Sequence, residues 1–117
     1  LFYVKDTRIV LSRGDTGSVT ITSEGYDFSE NDRALFTLKD GTGAIVMQKQ
    51  YPIVNGEFTV QFRNADTDSR PTGSYTWDVR YIINPFYDEN GAIVDGDQVI
   101  TPNLPMMLEI LDTVGEV

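Results

Sequence analysis

Apolar residues in this chain recur at every second position, in short runs that end at turn-forming residues. The clearest run is 58–63, where Phe58, Val60 and Phe62 alternate with Thr59, Gln61 and Arg63. A period of two places every apolar side chain on one face of an extended strand. Such a segment needs a sheet with one buried and one solvated side. Residues 74–83 extend the pattern, with Tyr75, Trp77, Val79 and Tyr81 on one face and Thr76, Asp78 and Arg80 on the other. No stretch carries the helical period of about 3.6. The pattern predicts an all-β fold.

Other segments fit the same scheme. Residues 8–11 and 18–22 read as strands, the second rich in β-branched residues. Ala34, Phe36 and Leu38 share one face of the next. Residues 44–51 are strand-like, although adjacent Val46 and Met47 blur the two faces. Residues 92–94 and 98–101 read as two short strands around Asp95-Gly96-Asp97, and 107–111 as a last one with Leu108 and Ile110 inward. Turns are predicted at Gly14-Asp15-Thr16-Gly17, Asp40-Gly41-Thr42-Gly43, Asn55-Gly56 and Asp88-Glu89-Asn90-Gly91. Asn55-Gly56 is the strongest hairpin signal, because both residues tolerate the positive φ of a type I′ turn. Asn84-Pro85 is expected to end the long strand, since Pro lacks the ladder N–H. Residues 27–32 read as a polar loop, and no internal repeat or linker stands out. Short turns imply antiparallel pairing. The expected fold is an immunoglobulin-like antiparallel β-sandwich of about eight strands, a single domain over 1–117, with a small β-barrel as the alternative.

Composition then limits the chemistry. The 117 residues include no His and no Cys. That removes His-based triads, Cys nucleophiles, zinc fingers and disulfides. A chain this long buries roughly two-thirds of its unfolded surface, so it needs none of them to fold. Nine Lys plus Arg against eighteen Asp plus Glu give a net charge of −9. Residues 1–63 hold eight acids and seven bases, a net of −1, while 64–117 hold ten acids and two bases, a net of −8. An acidic domain without a basic stripe is a poor partner for nucleic acid and for anionic lipid. No apolar run approaches the roughly 20 residues of a membrane span, and no signal peptide is visible. A start at Leu1 fits a trimmed chain, and the lack of Cys fits a cytoplasmic, secreted or virion protein.

Few constellations point to chemistry. Asp66 and Asp68, and Asp95 and Asp97, are carboxylate pairs spaced i, i+2, but their Gly and Ser neighbours mark turns in which Asp caps backbone N–H groups. Neither Asp95-Gly96-Asp97-Gln98 nor Asp88-Glu89-Asn90-Gly91 matches a calcium loop. Arg13-Gly14-Asp15 spells an integrin tripeptide within a turn. No glycine-rich phosphate cradle is present. Catalytic residues, cofactors and metals are therefore all expected to be absent. Two apolar segments could face a partner. Leu1-Phe2-Tyr3-Val4 would add an edge strand or dock on a neighbour, with Phe2 and Tyr3 as contacts. Phe86 and Tyr87, after Asn84-Pro85, would either plug one end of the sandwich or lie in an interface.

The stretch Asp68…Gly73-Ser74-Tyr75-Thr76-Trp77 resembles the start of strand F in immunoglobulin domains, where a Tyr bonds back to the preceding corner. The order of "VKDTRIVLSRGDTGSVTI", "NDRALFTLKD", "GSYTWDVRY" and "VITPNLPMMLEILDTVGEV" resembles the immunoglobulin-like N-terminal domain of phage and prophage baseplate upper proteins and related tail proteins. The matching pieces are the Arg13-Gly14-Asp15-Thr16 turn, Gly73-x-Tyr75-x-Trp77-Asp78, and Thr101-Pro102 with Leu108-x-Ile110. The resemblance implies a non-enzymatic structural module that docks on other tail or baseplate proteins or on copies of itself, often as a homo-oligomer. Its place would be the virion, or the bacterial cytoplasm when expressed from a prophage. Such proteins usually continue into a coiled coil or receptor-binding part, whereas this sequence ends soon after the domain. The alternative is a carbohydrate-binding or adhesion module of a secreted bacterial protein, which would expose an aromatic platform and hold calcium.

Overall fold

A computed structural model describes residues 1–113, so the last four residues of the closing motif lie outside the described residues. The strands in chain order are β1 (Phe2–Lys5), β2 (Arg8–Ser12), β3 (Gly17–Thr22), β4 (Arg33–Lys39), β5 (Ile45–Pro52), β6 (Glu57–Phe62), β7 (Gly73–Tyr87), β8 (Ile93–Ile100) and β9 (Met106–Leu111). One helical turn, α1 (Asn64–Thr67), stands between β6 and β7. Seven strands form one sheet, six of them in the order β1-β2-β9-β7-β4-β5 and the seventh, β8, also paired with β7, while β3 pairs with β6 in a second sheet. β9 pairs with residues 73–77 of β7 and β8 with residues 81–87, so β9 and β8 follow one another along β7. The result is an open sandwich and not a closed barrel. Strands β9-β7-β4-β5 of the large sheet make one layer and β3-β6 the other.

The inward rows build the core as the alternation requires. Phe36, Leu38, Phe58, Val60, Phe62, Val79 and Tyr81 are all buried. Trp77 is 6% exposed, stacks on Phe36 with ring centroids 5.5 Å apart, and donates its indole N–H to the Met107 carbonyl at 3.2 Å. The Tyr75 hydroxyl donates to the Pro71 carbonyl at 2.6 Å, which is the corner bond implied by the resemblance to strand F. At the corner itself, Thr67 is fully buried and its Oγ1 accepts from the Gly14 N–H at 2.9 Å. That helical turn has no counterpart in the apolar pattern, whereas residues 27–32 remain a loop as expected.

Four expectations need correction. The pairing is not wholly antiparallel, because β2 runs parallel to β9, with Ile9 opposite Leu108 and Leu11 opposite Ile110. These strands lie at opposite ends of the chain, so no hairpin dictates their direction. Burying both apolar rows does. Asn55-Gly56 adopts the expected positive φ values of 54° and 73°, yet it joins strands of different sheets. Only a Val54–Glu57 bridge follows the turn before β6 crosses to pair with β3. The long strand does not stop at Asn84-Pro85. Asn84 takes a left-handed φ of 49°, and β4 ceases to flank β7 beyond Ile82, so Pro85 interrupts no ladder on that side. Finally, 92–94 and 98–101 are one strand. Gly96 sits within it opposite Pro85, where a Cβ would lie only 2.9 Å from the Ile83 carbonyl oxygen.

The turns also hold a local repeat that the sequence reading passed over. Asp-x-x-Gly-Ala-Ile-Val occurs at 40–46 and again at 88–94. Asp40 Oδ1 accepts from the N–H groups of Thr42 and Ala44, and Asp88 Oδ1 does the same with Asn90 and Ala92. One carboxylate thus closes each hairpin. At the far edge of the large sheet, β5 turns Lys49 and Tyr51 toward β6. Lys49 Nζ donates to the Gln61 carbonyl at 2.9 Å and to Asp66 at 2.7 Å, while the Tyr51 hydroxyl accepts from the Gln61 N–H at 3.3 Å. Side chains from one edge strand therefore satisfy the backbone of another, and the inward charge keeps that edge from pairing with a foreign strand.

Two measurements test this account. Tyr75→Phe should keep the fold and lower stability by about 1–2 kcal/mol in denaturant unfolding, because it leaves a part-buried carbonyl without its donor. The Asp40 carboxyl is held below its ordinary value of 3.8, first by the Thr42 hydroxyl and then by the Thr42 amide. A lowered folded value means that this stabilisation is present above the unfolded pKa and disappears as pH falls through the folded one. Thr42→Val should move the Asp40 midpoint up toward 3.8 in a carboxyl NMR titration, and an unmoved midpoint would contradict the assignment.

Candidate interaction surface

The second sheet is much smaller than the first. β3 and β6 have six residues each, whereas β7 has 15. A two-stranded layer of that length covers β7 only over its first part. The far end of the core is closed by loop aromatics. Phe28 lies 4.8 Å and Tyr26 5.9 Å from the Tyr81 ring, centroid to centroid. The plugging role considered for Phe86 and Tyr87 is thus already filled. Those two side chains are 47% and 46% exposed.

The β7–β8 hairpin that carries them is braced. The Asn84 N–H donates to the buried Asp32 carboxylate at 2.9 Å, and the Asn84 side-chain amide donates to Asp97 at 2.9 Å. At the tip, Gln50 of β5 donates to the Gly91 carbonyl at 3.1 Å. These bonds hold the hairpin toward β5 on its β7 side. The edge of β8 that faces away from β7 pairs with no strand among the described residues.

The N-terminal segment behaves differently. It forms β1, an edge strand antiparallel to β2, with Phe2 opposite Leu11. The Phe2 ring packs 5.5 Å from Phe62 and covers Gly17, where any side chain would collide with it. Phe2 is therefore an anchor of the strand, and Tyr3, at 45% exposure, is the residue turned outward. The structure does not unite the four candidate contacts: Tyr3 lies on one edge strand, while Phe86 and Tyr87 lie on the hairpin.

Several exposed apolar residues escaped the sequence reading. Val94, Val99, Leu104 and Met107 are all exposed. Alternation marks Met107 as outward, but nothing local says that the partner layer stops short of Val94 and Val99. The acidic bias falls here as well. No Lys or Arg follows Arg80, while Asp88, Glu89, Asp95 and Asp97 all lie on the hairpin. The ion pairs among the described residues join Leu1 to Asp15, Arg8 to Glu109, Arg13 to Asp112 and Lys49 to Asp66, and none reaches the hairpin.

The other candidate motifs serve local structure. In Arg13-Gly14-Asp15 both charged side chains are engaged, and the Gly14 carbonyl accepts from Asn64. Asp66 accepts from the Arg63 N–H and Lys49, and Asp95 from the Gly96 N–H. No three of Asp, Glu, His or Cys gather as metal ligands among the described residues. A depression of about 250 Å³ between the β4–β5 turn and the corner before β7 is lined by Asp40, Thr42, Arg70 and Ser74 and opens to solvent. With Trp77 inside the core, the exposed aromatics among the described residues that could form a sugar platform are Tyr3, Tyr26, Phe86 and Tyr87. No protein-family model matches the chain, and searches of curated proteins and of solved structures also give no match.

Because Phe86 and Tyr87 stand clear of the core, replacing both with Ser should change the unfolding free energy by no more than about 0.5 kcal/mol. The same variant should bind less of an apolar fluorescent dye. A loss of about 2 kcal/mol or more would mean that the aromatics pack inside the molecule.

Proposed function

We propose that this chain is a non-enzymatic structural module of a phage or prophage tail, at the baseplate, and that it acts through contacts with other tail proteins. The observation that carries the reading is the braced hairpin with outward Phe86, Tyr87, Val94 and Val99. Apolar side chains held out by a rigid support cost solubility unless something covers them. A sandwich suits such a role, since its core fixes the strands and leaves edges and turns to make contacts. The sequence resemblance to baseplate upper proteins supplies the tail context. In this reading the chain resides in the virion, or in the bacterial cytoplasm before assembly.

The test is biochemical. Tail particles are purified after phage induction from the bacterium that encodes the chain, and the chain is quantified in them by mass spectrometry against a major tail protein. A fixed stoichiometric ratio through successive gradients is the expected result. Particles rich in tail proteins but lacking the chain would overturn the proposal.

A further inference from the structure

We infer that the free edge of β8 is a docking site for an extended, basic segment of a different protein, which adds as a strand to the large sheet. The inference rests on the protein-contact reading above and names the chemistry of the partner.

A strand with one unpaired edge offers a row of backbone N–H and C=O groups to any chain that can lie beside it. Folded proteins usually cover or blunt such an edge. This one does so at β6, where the Lys49 and Tyr51 side chains from β5 occupy the backbone N–H and C=O of Gln61. It does not do so at β8, which is eight residues long and, among the described residues, pairs with β7 alone. Across the ladder Phe86 stands opposite Asp95, and Asp97 is held by Asn84. Within β8, residues 95, 97 and 99 follow at every second position, so Asp95, Asp97 and Val99 share one side. All three are exposed.

Charge identifies the occupant. Asp88, Glu89, Asp95 and Asp97 put four acids on the hairpin, with no base anywhere after Arg80. An added strand would need Lys or Arg at alternate positions to face Asp95 and Asp97, and an apolar residue two positions further on to cover Val99. Opposite charges on directly facing strands attract and like charges repel. A second copy of this chain, at a net charge of −9, carries the wrong sign for that role. The β7–β8 ladder and the bonds from Asn84 to Asp32 and from Gln50 to Gly91 hold the hairpin in place, so the platform is pre-formed.

The test uses the whole chain, isotope-labelled, and a synthetic ten-residue peptide of alternating Lys and Val. The controls are a Glu–Val peptide of equal length and the Lys–Val peptide N-methylated at every second residue. The Lys–Val peptide should perturb the amides of Asp97 and Val99, which alternate with the residues bonded to β7, and slow their exchange with solvent. Asp95→Asn with Asp97→Asn should weaken binding at least tenfold, and so should N-methylation, which removes the strand's hydrogen bonds but not its charge. Equal binding of the Glu–Val peptide, undiminished binding of the N-methylated one, perturbation of β1 or β5 instead, or no binding at millimolar peptide would each overturn the inference. So would light scattering that shows the chain self-associating through β8. None of these results bears on recovery of the chain from tail particles, so the two proposals fail separately.

Discussion

The contact on which the rest of the molecule depends is the inward row of β7 against the two-stranded sheet. Tyr75, Trp77, Val79 and Tyr81 are all buried, in one core cluster with Phe58, Val60 and Phe62 of the second sheet. Phe36 stacks on Trp77, and Phe58 meets Tyr81 edge-on. Burying such aromatics supplies more apolar area per residue than any other choice. Once β7 is fixed by this contact, its edges decide where β4, β9 and β8 lie. The Tyr75 bond to Pro71 then sets the angle at which the chain enters the strand.

The same contact explains where the core ends. β3 and β6 cover β7 as far as Tyr81, and Tyr26 and Phe28 seal that end. Past Ile82, which is still buried, no residue of β7 is buried. The strand continues only because β8 pairs with it and because Asp32 and Gln50 hold the hairpin. A strand that outlives its core must either gain a cover from outside or keep its apolar residues in water. The exposure of Phe86, Tyr87, Val94 and Val99 follows from this mismatch in length, and the interaction surface is its consequence.

Much of the fold is legible in the residues. The period of two in 58–63 and 74–83 names the inward side chains correctly, because alternation is a property of the extended backbone and needs no partner to be read. The turns at Asn55-Gly56 and Asp88-Glu89-Asn90-Gly91 are equally local. The surface is legible only in part. Phe86 and Tyr87 draw notice as aromatics beside a Pro, but Val94 and Val99 look like any strand residues. Phe2 looks like Tyr3, and only its contact with Phe62 and Gly17 separates an anchor from an exposed neighbour.

Sequence by itself determined the all-β class, the inward rows and the turn chemistry, because each depends on the conformations open to a few adjacent residues. The acidic bias of the second half was also fixed at that level. Tertiary structure decided the rest. The parallel pairing of β2 with β9, the crossing of β6 to the second sheet, the passage of β7 through Asn84-Pro85 and the open edge of β8 all depend on which distant strands compete for one apolar face. That competition is settled by burial over the whole molecule, and no local stretch of residues contains it.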